Sequence, residues 1–304
     1  MTVRALVMAA AGVSTAVVMP TTWTARTLPA SQNWYGVAGS GSNFVAVAVG
    51  SATAAYSSDG GHTWAASTLP SNQSWFGAAG SGSNFVAVVG GGTAAAYSSD
   101  GGHTWAASTL PSSQSWYTAA GSGSNFVTVG NSSAAAAYST NGGQTWSAST
   151  LPANASWYSV AGSGSNFVAV AGSTNVAAYS TNGGQTWSAS TLPSSQTWYG
   201  VAGSGSNFVA VAEGGTAAAY SSDGGHTWAA STLPSSGNWN GVAGSGSNFV
   251  AVCGATTVAA YSTNGGQTWS ASTLPSSQTW YTAAGSGSNF VTVGYNSAVA
   301  ATSP

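Results

Sequence analysis

The chain repeats itself every 41 residues. The Pro of a Thr-Leu-Pro step falls at Pro29, Pro70, Pro111, Pro152, Pro193, Pro234 and Pro275, and the Phe of a Ser-Asn-Phe-Val step at Phe44, Phe85, Phe126, Phe167, Phe208, Phe249 and Phe290, with no insertion anywhere. So rigid a period means that one supersecondary unit is copied and that each copy buries its faces against its neighbours. Longer blocks recur as well: Thr118 to Gly130 and Thr282 to Gly294 have the same sequence. The array therefore reads as recent duplication of multi-unit pieces, and most differences between units as drift.

Within one unit, apolar runs and turn signals mark four short strands. In the fifth these are Trp198 to Ala202, Asn207 to Ala212, Thr216 to Ser221 and His226 to Ser231, separated by Gly-Ser-Gly-Ser, Glu-Gly-Gly and Asp-Gly-Gly. The run Phe208-Val209-Ala210-Val211-Ala212 does not alternate with polar residues, as expected of a sheet buried on both faces. Four strands in about 40 residues is one propeller blade. The expected fold is all-β, a seven-bladed β-propeller of four-stranded antiparallel blades. The last unit stops after a third-strand candidate at Ala298 to Thr302, while Trp23 opens a fourth strand with no blade before it. Thr22 to Leu28 is therefore expected to complete the seventh blade, an N- and C-terminal strand clasp that pairs otherwise open edges. Residues 21–304 form this domain in the reading, and residues 1–20 an N-terminal arm. Arg4 followed by the apolar run Ala5 to Val13 gives the arm a weak signal-like character. No strongly apolar run is long enough to span a membrane.

Charge is nearly absent, at 2% of residues: Arg4, Arg26, Asp59, Asp100, Glu213 and Asp223 are the whole set. Phosphate binding needs several cations to displace counterions, so nucleic acid is excluded as a partner. Hydrophobic residues at 43%, with 14 Trp, 12 Tyr and 8 Phe, suffice for a packed core despite 42 Gly. A charge-poor exterior suits a protein outside the cell or on a virion surface, with neutral partners. The single Cys253 stands where other units have Ala48 or Val89 and reads as a small apolar strand residue.

At Ser57-Ser58-Asp59-Gly60-Gly61-His62-Thr63-Trp64, Ser98 to Trp105 and Ser221 to Trp228, the sequence resembles the Asp-box (BNR, sialidase-like) repeat; Ser139 to Trp146, Ser180 to Trp187 and Ser262 to Trp269 carry Asn in place of the acid. The structural box residues are thus Asp59, Asp100, Asn141, Asn182, Asp223 and Asn264. Each is expected to cap a hairpin by accepting backbone N–H bonds, with Gly at positive φ. The resemblance implies a propeller with boxes away from any site of chemistry. Sialidases also need an arginine cluster, a Tyr and Glu pair and an acidic proton donor. Here only Arg4 and Arg26 exist and Glu213 is the sole Glu, so that site and a two-carboxylate glycosidase site lack their parts. His62, His103 and His226 lie in separate boxes and cannot share a metal. No enzyme activity, cofactor or metal is expected.

A second Trp series, Trp34, Trp75, Trp116, Trp157, Trp198, Trp239 and Trp280, opens each unit, followed by Tyr35, Tyr117, Tyr158, Tyr199 and Tyr281 in five of them. Core packing is the leading reading for these Trp. The functional alternative is that these aromatics, beside amides and hydroxyls, form ligand-binding faces for neutral glycans, in sevenfold weak sites with high avidity. The unit also resembles repeats of bacteriophage tail-fibre and virion-surface proteins and of propeller lectins, and photosystem assembly factors have similar boxed propellers, though with an arginine-rich contact face that has no counterpart here. These resemblances imply recognition of a glycan or cell-surface receptor, as in a tail fibre, or else a purely structural or protein-interaction propeller tethered through its arm to other virion or assembly proteins.

Overall fold

The structure is a computed structural model and describes residues 22–303. The arm assigned to residues 1–20 lies outside the described residues. There are twenty strands and no helix among the described residues: β1 (Thr24–Ser40), β2 (Asn43–Ala48), β3 (Ser51–Ser57), β4 (Ala65–Gln73), β5 (Trp75–Ser81), β6 (Asn84–Ser98), β7 (Ala106–Ser122), β8 (Asn125–Ser139), β9 (Ser147–Ser163), β10 (Asn166–Ala171), β11 (Thr174–Ser180), β12 (Ser188–Ser204), β13 (Asn207–Glu213), β14 (Gly215–Ser221), β15 (Ala229–Gly237), β16 (Trp239–Ser245), β17 (Asn248–Cys253), β18 (Thr256–Ser262), β19 (Ser270–Ser286) and β20 (Asn289–Ser303). Among these residues no helix is long and apolar enough to cross a membrane.

Every strand pair is antiparallel, and the register repeats with the sequence. In the fifth unit Trp198 faces Ala212 and Gly203 faces Phe208 across β12 and β13, and Val209 faces Tyr220 across β13 and β14. Long strands serve two sheets: β12 pairs with β11 through Ser188–Gln196 and with β13 through Thr197–Ser204. The chain can turn between sheets without breaking because a register shift falls where the two pairings meet.

The fourth strand departs from the sequence expectation. It begins at Ala229 and runs through Pro234 to Gly237, instead of covering His226 to Ser231. Thr227 is held in the turn, since its amide and hydroxyl both donate to Asp223. Pro234 is tolerated because the pairing with β14 skips from Thr232 to Gly237, leaving no ladder bond for its missing N–H to make.

At the chain ends, Thr24, Ala25, Arg26 and Thr27 pair with Thr302, Ala301, Ala300 and Val299. Arg26 Nε donates to Thr302 Oγ1 at 3.0 Å, and Leu28 is buried.

The core lies between sheets. Phe44, Val45, Ala46, Val47 and Ala48 have no exposed surface, and the same five positions of the later units are buried throughout. Small residues let neighbouring inner strands approach: a Cβ on Gly36 would lie 2.7 Å from the Phe76 carbonyl oxygen, and one on Gly241 2.8 Å from Thr282 Cα. Two residues at this phase bridge to the neighbour instead: Val201 N donates to Ser159 Oγ at 3.1 Å and Val160 N to Thr118 Oγ1 at 3.4 Å.

Candidate functional site

The seven Trp that open the units are 0–1% exposed. Their indole N–H groups are used internally: Trp34 donates to Ala30 O at 3.2 Å, Trp75 to Ser71 O at 3.1 Å and Trp198 to Ser194 O at 3.1 Å, with Trp116, Trp157 and Trp239 making the same contact four residues back. Trp280 instead donates to Thr256 O. An indole with no free face cannot stack on a sugar, so Trp34, Trp75, Trp116, Trp157, Trp198, Trp239 and Trp280 are removed as ligand faces. Burial of the ring outweighed any use at the surface.

The residue after each Trp has the opposite fate, because successive strand side chains point to opposite faces. Tyr35, Phe76, Tyr117, Tyr158, Tyr199, Asn240 and Tyr281 all line one cavity of about 360 Å³. Its wall is completed by the next two residues of each inner strand, such as Gly36 and Val37. A second, smaller cavity of about 160 Å³ is lined further along the same strands mostly by Ala and Gly, including Ala38, Gly39, Ala79 and Gly80, with Val37, Val160 and Val242. One end of the inner-strand bundle is thus aromatic and the other is small and featureless.

The rings form a partly closed mouth. Tyr35 stacks on Tyr281 with centroids 4.9 Å apart and meets Phe76 edge-on at 4.7 Å. Phe76 meets Tyr117 at 5.0 Å, and Tyr158 stacks on Tyr199 at 5.3 Å. The hydroxyls of Tyr35 and Tyr199 share a hydrogen bond of 3.1 Å across the mouth. Burial raises the Tyr35 pKa far above the ordinary phenol value, and the neighbouring tyrosines add to the shift. Burial also raises Tyr199, with the Glu213 carboxylate adding to the effect and the bond to Tyr35 opposing it. Both hydroxyls stay protonated, so the mouth offers neutral donors and acceptors over aromatic faces.

Two polar groups stand in or near it, Asn240 in its wall and Glu213 close enough to Tyr199 to act on its hydroxyl. Asn240 is 9% exposed, and its side-chain amide bonds to no other described residue. Glu213 is exposed at the end of β13, paired with Thr197, two residues before Tyr199.

Sequence reasoning that follows the Tyr residue type misses Phe76 and Asn240; their phase, one residue after the Trp, is the signal that finds them. Glu213 reads from sequence only as a carboxylate without a partner.

The boxes sit elsewhere, in the turns between β3 and β4 and their equivalents. Ser57 Oγ donates to Asp59 Oδ1 at 2.8 Å, Thr63 N donates to the same oxygen at 2.9 Å, and Thr63 Oγ1 donates to Oδ2 at 2.6 Å. Gly60 and Gly61 have φ of 78° and 84°, a region that costs glycine least. Asp100 and Asp223 repeat these bonds. In the Asn141 box the amide nitrogen donates to Thr145 Oγ1 at 2.9 Å while Oδ1 accepts from Thr145 N at 3.0 Å; Asn182 and Asn264 do the same. Amide and carboxylate build one turn.

Burial pulls the Asp59, Asp100 and Asp223 pKa values upward, but the threonine hydroxyl and amide and the serine hydroxyl outweigh it and hold each at about 2. A folded pKa below the unfolded one means stability that is present above about pH 4 and lost as pH falls towards 2. These carboxylates are exposed, so after solvent screening each box contributes at most about 1 kcal/mol. Replacing all three Asp with Asn is expected to flatten the melting temperature between pH 4 and pH 2; an equally steep acid loss in the triple variant would refute this.

A family profile described as BNR/Asp-box repeat matches residues 137–148, 178–189 and 260–271, the three copies holding Asn141, Asn182 and Asn264. No curated protein matches the chain. Among solved structures, "YCF48 bound to D1 peptide" is 18% identical, with a TM-score of 0.71 and coverage of 95% of this chain and 98% of that one. YCF48 from Cyanidioschyzon merolae is likewise 18% identical, with a TM-score of 0.69 over 92% and 98% of the two chains. Virginiamycin B lyase from Staphylococcus aureus is 11% identical, with a TM-score of 0.77 over 93% and 99%. These structures speak to the fold and not to a tail fibre or a lectin. They also correct the expectation that no enzyme activity is present: the lyase is an enzyme built on this fold, so a missing sialidase-type arginine cluster does not exclude catalysis, and fold alone does not decide it. The chain is a β-propeller carrying BNR/Asp-box repeats.

Proposed function

We propose that the chain is a recognition module with one binding site, the aromatic mouth formed by Tyr35, Phe76, Tyr117, Tyr158, Tyr199, Asn240 and Tyr281, and that its partner is a protein segment inserted there. The observation that carries this is convergence: seven equivalent positions meet at one cavity, so repetition builds a single composite site in place of seven weak ones. A cavity of about 360 Å³ is in the range that holds a side chain or a short peptide. The peptide-bound YCF48 structure of similar fold supports a peptide partner. Our reading of the scaffold is seven four-stranded blades over residues 21–304 with a terminal clasp, supported by inner strands in contact in the cycle β1, β5, β7, β9, β12, β16, β19 and back to β1. The charge-poor sequence supports display outside the cell or on a particle, with residues 1–20 as a tether.

Panning a displayed peptide library against the chain tests the site. Enriched peptides are expected to bind at one per chain, to compete with one another, and to lose at least about tenfold in affinity on Tyr158→Ala, a truncation of one stacked aromatic. Several peptides bound per chain, or affinity indifferent to Tyr158→Ala, would refute a single axial site.

A further inference from the structure

Resting on that reading, we propose that the mouth selects a cationic group, the ammonium or guanidinium end of a Lys or Arg side chain on the partner. One residue after the last core position of the second strand stand Val49, Gly90, Asn131, Gly172, Glu213, Gly254 and Tyr295 in the successive units. This position underlies the mouth residue of its own unit. A Cβ on Gly90 would collide with the Phe76 ring, one on Gly172 with the Tyr158 ring, and one on Gly254 with the Asn240 amide, while Tyr295 meets Tyr281 edge-on at 5.2 Å. Glycine lets the mouth residue lie back over the backbone. A side chain there displaces it, and the two tyrosines joined across the mouth, Tyr35 and Tyr199, both belong to units with a side chain at this place, Val49 and Glu213.

Glu213, paired with Thr197 on the neighbouring strand, therefore comes near the Tyr199 hydroxyl, on which its charge acts, outside the cavity wall itself. It is the one Glu of the chain, and among the described residues no cation pairs with it. Tyrosine and phenylalanine faces present negative potential to a cation, an attraction that strengthens when the cation is desolvated. A carboxylate nearby adds a long-range field of the same sense. Asn240 supplies the third element: a residue 9% exposed in the cavity wall, whose side-chain amide bonds to no described residue and is not sealed from the cavity, and whose carbonyl oxygen can accept from an ammonium N–H. No arginine or lysine lines the cavity to repel such a ligand. An anion would find only neutral tyrosine hydroxyl and Asn240 amide donors, set against the ring faces and the Glu213 charge, and a plain apolar group would leave the amide unpaired.

Calorimetric titration of the full chain with N-acetyl-lysine methylamide, N-acetyl-norleucine methylamide, tetramethylammonium chloride and glucose tests this. The lysine probe is expected to bind about tenfold or more tighter than its neutral norleucine isostere, and tetramethylammonium to compete with it. Glu213→Gln is expected to reduce that preference several-fold with an unchanged melting temperature. Equal binding of the lysine and norleucine probes, preference for glucose, or no binding of either cation at millimolar concentration would each overturn the cationic assignment. Failure of the mouth as the site is read separately, from panned peptides that ignore Tyr158→Ala.

Discussion

A chain beginning at Trp34 is expected to lose cooperative thermal unfolding near the full-length melting temperature and to associate in solution. Removing residues 1–33 takes away the part of β1 that pairs with β20 and exposes the edge at Val299–Thr302. It also removes Leu28, 2% exposed, and Trp23, 8% exposed, each packed into a hydrophobic cluster with residues from the C-terminal part of the chain. Burial of one Leu and one Trp contributes about 5 kcal/mol together, comparable to the whole stability of many domains. An unpaired strand edge is a template for joining another chain. Scanning calorimetry and light scattering check both parts, and a truncated monomer with an unaltered melting temperature would show that the terminal pairing is dispensable.

The second large effect is expected from Trp198→Ala. This side chain is 1% exposed, and its indole N–H donates to Ser194 O. Truncation leaves a cavity among Leu192, Phe208, Ala210 and Ala219, with an expected cost of about 3–5 kcal/mol in denaturant unfolding. The neighbouring Tyr199→Ala is expected to cost far less stability, because that residue is only partly buried and lines the cavity, and to change ligand affinity instead. Opposite behaviour of the two variants, with Trp198→Ala stable and ligand-blind, would restore the Trp series as ligand faces.

The contrast between adjacent residues shows where sequence reasoning reaches its limit. The stretch Trp198-Tyr199-Gly200-Val201-Ala202 does not alternate polar and apolar residues, so nothing in it marks the face that opens to the cavity. Residue type favours Trp as the sugar-stacking group, yet its size makes it the better filler between sheets. The box turns are easier to read, since Ser57, Asp59, Gly60, Gly61 and Thr63 satisfy one another within eight residues. The fourth strand begins later than its sequence pattern suggests for a related reason: the tie from Asp223 to Thr227 lengthens the turn, and only the folded hairpin shows how far. Missing sialidase parts are too narrow a ground for excluding catalysis on a fold that also serves a lyase.

By itself the sequence determined the period, the box turns and the all-β character, because each depends on contacts within a few residues or on strict repetition, while the bounds of the fourth strand in each unit were left to the fold. The tertiary structure alone decided that seven equivalent positions share one cavity, that Glu213 comes near Tyr199 and that the Asn240 side chain bonds to no other described residue. Those relations join residues tens to hundreds of positions apart, and they arise from how sheets pack around a common centre, a geometry that no local pattern of side chains encodes.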